Sequence, residues 1–515
     1  MESLWCIIEV QEKYGFSAKN LALGERRMYK FDRYRQLGLA DFNQPLGLKM
    51  NPENRWVKKA ASIPWDEIEV KYAELFPSTT GMPAKPLRTA LGSLIIQKQL
   101  KFTDRELVEE ITENPYLQYF IGLPGFTTEA PFVPSLLVEF RKRLTDDILC
   151  DINEMIIDYN RPDDPTGGEG FGSDDDMETK PNAGTMILDA TCAPQNIEFP
   201  QDINILNAAR ENLEHMVDDI CYTYNFYKPR MYRDNARRDY LLLARCKKRT
   251  AKKIRVAIKK QLQYIKRDLG YIDMFIDPEN GAELSDKQNA RLEVIKKVYE
   301  QQLYMYQSGV HSVPDRIVSI SQPYIRPIVR GKAAAPTEFG AKLDLSIDEN
   351  GLGRLEKISF DAYNESEVLI QAIENYHARN GRYPERVLAD KIYRNRSNLA
   401  YCKARDIRLS GPALGRPKKN TSSDKRTEYI DNADRIEVER AFSLAKRCYG
   451  LGRIMTKRED TTRSSIVLSI IAMNVDHIVA TSLSLNLISI FSRCNWQEIL
   501  PEYSQNSNMF LECCC

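Results

Sequence analysis

Histidine is scarce in this chain of 515 residues, with four in all. His215, His311, His377 and His477 are too dispersed to suggest a metal cluster. The eleven cysteines form no Cys-x-x-Cys pair and no zinc spacing, so scattered reduced thiols are the simplest reading. Net charge is only +1, which removes any argument from global attraction to a polyanion. No phosphate-binding loop is present. Gly411-Pro412-Ala413-Leu414-Gly415-Arg416-Pro417 has the glycines but lacks the lysine-serine ending, and reads as a mobile basic loop. His311 precedes Ser312 without a partnered base, so no nucleophile set is expected. No basic-then-apolar leader opens the sequence. The apolar stretch 466–491 is interrupted by Asn474, Asp476, His477 and Asn486. Central charges are costly in lipid, so a buried helix or helix pair is expected there, with no membrane partner.

What is present is local. Between Lys228 and Arg267 stand 16 Lys/Arg against two acids, Asp234 and Asp239. Between Lys403 and Arg426 there are eight basic residues. Such stretches are the usual footprint of phosphate-backbone contact. Lys247, Lys248 and Arg249 in the first stretch, and Arg416, Lys418 and Lys419 in the second, are the candidate DNA-binding residues. Three acids stand in telling settings. Asp189 ends the apolar run Met186-Ile187-Leu188, and Asp390 ends Val387-Leu388-Ala389. Glu439 lies in a helical stretch with Arg435 four residues before it and Lys446 seven after. At about 100° per residue these three side chains fall within roughly 40° of one another, and Glu437 falls on the opposite side. Oxygen ligands hold hard divalent cations, and a metal pair suits phosphoryl transfer. Lysine and arginine beside such a carboxylate suit a phosphate substrate.

The Arg435-x3-Glu439-x6-Lys446 pattern resembles the signature of DDE transposases of bacterial insertion sequences, with Asn432 where those families usually place tyrosine. Leu188-Asp189-Ala190-Thr191 followed by Pro200-Gln201-Asp202, then Pro336-Thr337-Glu338-Phe339-Gly340, then Ala389-Asp390-Lys391 with Tyr393-Arg394, is similar to the InsH-like, insertion-sequence-five branch. The resemblance covers roughly residues 55–480. It implies Asp189, Asp390 and Glu439 as catalytic residues and ligands of two Mg²⁺ or Mn²⁺ ions. It implies double-stranded DNA, both element ends and target, as partner. It further implies a homodimer or higher multimer on DNA, and a nucleoid-associated place in the bacterial cytoplasm.

The organisation expected is α/β. Residues 1–54 are a weakly patterned lead segment. Residues 55–160 are a helical N-terminal domain for DNA-end binding or for packing. There Leu87, Leu91, Leu94 and Ile95 recur at helical spacing, Thr103 with Glu106 forms a capping box, and a third helix runs from Pro134 to about Leu149. Residues 161–184, with Asp174-Asp175-Asp176, read as an acidic flexible linker. A catalytic core occupies 185–204 and 308–455, interrupted by a basic helical insertion at 205–307. C-terminal helices and tail fill 456–515; Cys513-Cys514-Cys515 has no physical account. Core strands are expected at Asp189, 341–347, 355–360, 386–390 and 407–410, with helices at 366–379 and 434–448 and a turn at Asp348-Glu349-Asn350-Gly351. That order is the order of a ribonuclease H-like fold. The resemblance places its first and fourth strands side by side. Glu338 and Asp361, near strand ends, are expected to be solvated or supporting. The function expected is a transposase that cuts the ends of its element and joins them to target DNA. The alternatives are a catalytically silent DNA-binding descendant and a metal-dependent nuclease without strand transfer.

Overall fold

A computed structural model describes residues 38–47, 49–74, 84–161, 181–329, 337–411 and 422–493. The linker aspartates, the terminal cysteines, and Arg416, Lys418 and Lys419 lie outside the described residues. The chain divides into two compact units, one of residues 1–144, 151–162 and 478–515, the other of 145–150 and 163–477.

The first unit is helical: α1 (Arg55–Ala61), α2 (Trp65–Ala73), α3 (Leu87–Leu100), α4 (Asp104–Glu113), α5 (Pro115–Phe120) and α6 (Leu136–Arg143). Leu87, Leu91 and Ile95 are fully buried, which is the helical spacing read from sequence. Trp56 and Trp65 both meet Phe120 edge to face, with centroids 5.2 and 5.7 Å apart. The capping box forms: Thr103 Oγ1 accepts the Glu106 N–H, and Glu106 accepts the Thr103 N–H at 2.8 Å. α3 starts on Pro86, which has no capping side chain, and the Glu69 carboxylate accepts the Leu87 N–H at 3.1 Å instead. Burial pushes this carboxyl up to about 7. The single helix expected over 134–149 is two. α6 stops at Arg143, Leu144 leaves helical geometry, and α7 runs Asp146–Tyr159. The Thr145 carbonyl accepts the Leu149 N–H, and Asp146 and Asp147 fill the first turn, a helix start that the periodicity had hidden.

The second unit is built on a six-stranded mixed sheet. β1 (Thr185–Pro194) pairs antiparallel with β3 (Thr337–Ile347) and parallel with β5 (Arg386–Ala389). β2 (Arg326–Val329) and β4 (Gly353–Ser359) line the outer edge of β3, and β6 (Arg408–Leu409) adds to β5. β2 was not expected; its Pro327 lowers the strand signal, and at a sheet edge a missing N–H is tolerated. β3 and β4 are joined by the anticipated turn, where Gly351 takes φ +79° and its N–H bonds the Asp348 carbonyl at 3.0 Å. Between β1 and β2 the insertion folds as α8 (Asp202–Tyr224), α9 (Arg233–Ala244), α10 (Ala251–Phe275) and α11 (Asp286–Ser308), around Leu206, Leu213, Val217, Ile265, Ile272 and Ile295.

After β4 come α12 (Val368–Asn380), α13 (Arg396–Ala404), α14 (Ser422–Cys448) and α15 (Glu459–Arg493). Alternation along the strands divides their side chains between two cores. Ile187, Leu343, Leu345 and Leu388 pack with Val438, Ala441, Phe442 and Ala445 of α14 and with Ile466 and Ile470 of α15. Met186, Leu188, Val387 and Ala389 pack with α12 and with Tyr393. Within α15 the stretch Glu459–Ser482 is long and apolar enough to cross a membrane, but 72% of its most apolar window is buried inside the protein. The Asn474 amide bonds both the N–H (2.9 Å) and the carbonyl (2.8 Å) of Gly353 at the start of β4.

Candidate active site on β1 and at the end of β5

The sheet register brings the two aspartates together. Leu188 is the partner of Ala389, the last residue of β5, so Asp189 and Asp390 occupy the next position along two adjacent parallel strands. Such strands lie about 4.8 Å apart. By alternation both residues follow the face of Ile187 and Leu388, the face covered by α14. Asp189 does not end its strand as the sequence suggested. It lies in the middle of ten residues, because Ala190–Pro194 continue the pairing with β3. Asp390 does end its strand, and caps the short turn Lys391–Tyr393.

Each carboxylate is oriented by a neighbouring amide. Asp189 Oδ1 accepts the Ala190 N–H at 2.9 Å, and Asp390 Oδ1 accepts the Lys391 N–H at 2.7 Å. Among the described residues neither Oδ2 receives a hydrogen bond, so each has an oxygen to offer. Burial raises the Asp189 carboxyl to about 6; the Ala190 N–H and Arg435 lower it, and Glu365 and Asp390 raise it further. Glu365, in the turn before α12, carries an ion pair to Lys342 at 2.8 Å. Its proximity to Asp189 had no signal in sequence, since it lies in a polar loop remote from any motif.

α14 supplies the remaining groups. Its buried stripe, Val438, Ala441, Phe442 and Ala445, faces the sheet, and Arg435 and Glu439 flank that stripe. Arg435 pairs with Glu439 at 3.6 Å and also acts on Asp189. Glu437 pairs instead with Arg440. The helix starts well before the expected residue 434, and Asp431 in that added length is buried, held by Arg408 at 2.5 and 2.8 Å and by Arg386 at 3.4 Å. These bonds tie α14 to the ends of β5 and β6. The Glu439 side chain is 58% exposed, and among the described residues no three His, Cys, Asp or Glu side chains close on one point. The structure thus sets Asp189 beside Asp390 and leaves Glu439 linked to Asp189 through Arg435. All the donors are carboxylate oxygens, which suits a hard divalent cation and none of the softer metals.

The basic candidates lie elsewhere in the same unit. Lys247, Lys248 and Arg249 are exposed in the connection between α9 and α10, where Arg249 bonds Gln201 and the Ala244 carbonyl, both at 2.7 Å. Lys446 is half-buried near the end of α14. Asp361 is 74% exposed and 3.8 Å from Arg326.

Two family models match. One described as "Transposase DDE domain" covers residues 387–476, which carry Asp390, Arg435, Glu439 and Lys446. One described as "Transposase domain (DUF772)" covers residues 46–143 of the helical unit. A protein of Rhizobium meliloti, "Uncharacterized protein ORF8 in nfe locus", is 32% identical over 103 residues, which are 20% of this chain and 49% of that protein. The chain therefore spans about half the length of this relative. No solved structure matches. Together the two domain matches support a transposase of the DDE, insertion-sequence kind.

Proposed function

We propose that this chain is a DNA transposase of the InsH-like branch, with a ribonuclease H-like core, that cuts the ends of its own element and joins them to target DNA. The register that sets Asp189 against Asp390 on the face of α14 carries this reading. With Glu439, these carboxylates would hold two Mg²⁺ or Mn²⁺ ions. Bound there, such ions would activate the attacking oxygen and stabilise the leaving one. Asp189 and Asp390 present oxygens held in place by the Ala190 and Lys391 amides. Arg435 releases Glu439 when its guanidinium turns to a DNA phosphate, which offers the same bidentate acceptor geometry. Lys446 follows on the same side of the helix. Lys247, Lys248 and Arg249, with Arg416, Lys418 and Lys419, contact the DNA backbone, and the helical domain of residues 55–160 binds element ends or serves packing between protomers.

The test is cleavage and strand transfer on a duplex bearing one element end. The wild-type chain should nick the end and join it to a target plasmid only with Mg²⁺ or Mn²⁺. Nicking without joining identifies a nuclease. Binding without nicking identifies a silent DNA-binding descendant, the reading that the outward Glu439–Arg435 pair favours. Joining two ends to one target requires two active sites, so a dimer or higher multimer should form on end DNA. Light scattering that finds a single protomer competent for paired joining rules this assembly out.

A further inference from the structure

We propose that Tyr393 and Asp344 are positioning residues that fix the place of Asp390 relative to Asp189. This rests on the reading of those two aspartates as metal ligands. Tyr393 lies three residues after Asp390, at the far end of the turn that Asp390 caps, and its N–H bonds the Asp390 carbonyl at 3.0 Å. Its side chain is fully buried, and its hydroxyl donates to Asp344 at 2.8 Å. Asp344 is also fully buried, in the middle of β3, and accepts a second hydroxyl from Tyr363.

The strand order gives this bond its meaning. β1 lies between β5 and β3, so Tyr393 reaches from the end of β5 across β1 to β3. It does so where Asp344 is paired with Ala190, the residue after Asp189. Ala190 alternates onto the opposite face from Asp189, and its small side chain leaves that face open to the tyrosine ring. The strut therefore runs behind the aspartate pair. Arg394 secures the other side of the turn, donating to the Leu409 and Ser410 carbonyls at 2.5 and 2.7 Å. Without such anchors, Asp390 would sit exposed at a strand end with little to hold it. Metal coordination tolerates only about ±0.2 Å in ligand distances, so a drifting turn weakens binding directly. Placing a buried acid between two hydroxyls inside a strand is costly unless both bonds form, a cost that an apolar side chain at this position would not carry.

The full-length protein is titrated with Mn²⁺ alone, without DNA, and free Mn²⁺ is read by electron paramagnetic resonance. Tyr393→Phe keeps the ring and removes the hydroxyl. Asp344→Asn keeps an acceptor for Tyr393 and removes the charge. Asp344→Ala removes both. Tyr393→Phe and Asp344→Ala should weaken Mn²⁺ binding about tenfold or more, and Asp344→Asn should stay within about twofold of wild type. In end cleavage, raised Mn²⁺ should restore the Tyr393→Phe rate, since the defect is in placement and the ligands remain. Wild-type Mn²⁺ binding by Tyr393→Phe overturns the proposal, as does a cleavage loss that no metal concentration recovers. Asp390→Asn serves as the control. If it binds Mn²⁺ as wild type does, the reading of Asp390 as a ligand has failed, independently of the strut.

Discussion

In the helical insertion, buried charge is matched. Arg210, 1% exposed, is held by Glu214 and by Asn207. Arg233 forks onto Asp218 at 2.6 and 2.7 Å, and Arg267 pairs with the fully buried Asp268 at 2.9 Å. Around Asp189 in the middle of β1 and Asp390 at the end of β5 the balance is different. Asp189, Asp390 and Glu365 crowd together, and Arg435 is the cation that lowers the Asp189 carboxyl. Matched charges specify how helices meet. Burial raises Asp268 as it raises Asp189, to about 6 in each case, but Asp268 is bonded by the Arg267 guanidinium at 2.9 Å, whereas Asp189 is bonded by the Ala190 amide and, among the described residues, by no cation at hydrogen-bond distance. The same contrast runs along the surface of the insertion. Lys228 and Lys260 find Asp218 and Asp239, whereas among the described residues Lys247 and Lys248 have no ion pair.

The contrast is broken most visibly at the aspartates. Asp189→Asn or Asp390→Asn should lower end cleavage roughly a thousandfold or more, because metal assistance is worth several kcal/mol. Glu439→Gln should do the same, and Glu437→Gln, which touches only the Arg440 pair, should stay within about twofold. The reverse ranking would mean that α14 works through its other face. Arg210→Ala comes next. Among the described residues it leaves the buried Glu214 with only the Arg233 guanidinium at 3.8 Å, and it should destabilise the insertion by about 3 kcal/mol in a denaturant titration. A loss under about 1 kcal/mol would show the network to be dispensable.

A smaller effect is expected in the helical unit. The Glu69 carboxyl is raised to about 7 from an ordinary value of 4.5, so the folded state retains a proton that the unfolded chain has lost. Stability from this group is complete below about pH 4.5 and is lost as pH rises toward 7, by at most about 3 kcal/mol. Glu69→Gln should flatten the melting temperature across that window, and an unchanged slope would assign the pH dependence elsewhere. The mildest effect is at the basic surface. Replacing Lys247, Lys248 and Arg249 by Gln should weaken binding to many sequences alike and reduce the salt slope by about two to three. Unchanged affinity and slope would make the cluster an ordinary solvated surface.

Much of this arrangement was legible in sequence where a pattern is local. The insertion was legible by its basic charge, the β3–β4 turn by Asp348 and Gly351, and the capping box by Thr103 and Glu106. Asp390 was legible because β5 is short and stops before it. Asp189 was misjudged as a strand end because its apolar run stops three residues after it begins, while β1 continues through Ala190–Pro194 under cover of β3. Asp344 and Glu365 were invisible for a related reason. An acid in an alternating strand reads as solvent-facing, and only the tertiary fold covers both faces of β3 and delivers Tyr363 and Tyr393. The early start of α14 was missed because Asp431 reads as one charge among many until Arg386 and Arg408 reach it from two strands.

The account stands on one cation position between two strands. Crystals of the protein soaked in Mn²⁺ would show it by anomalous scattering at the manganese edge. The expected result is a peak within about 2–2.3 Å of a carboxylate oxygen from both Asp189 and Asp390, with Glu439 turned from Arg435 toward it when DNA is bound. Manganese absent from that position, or bound by other residues, would contradict the account.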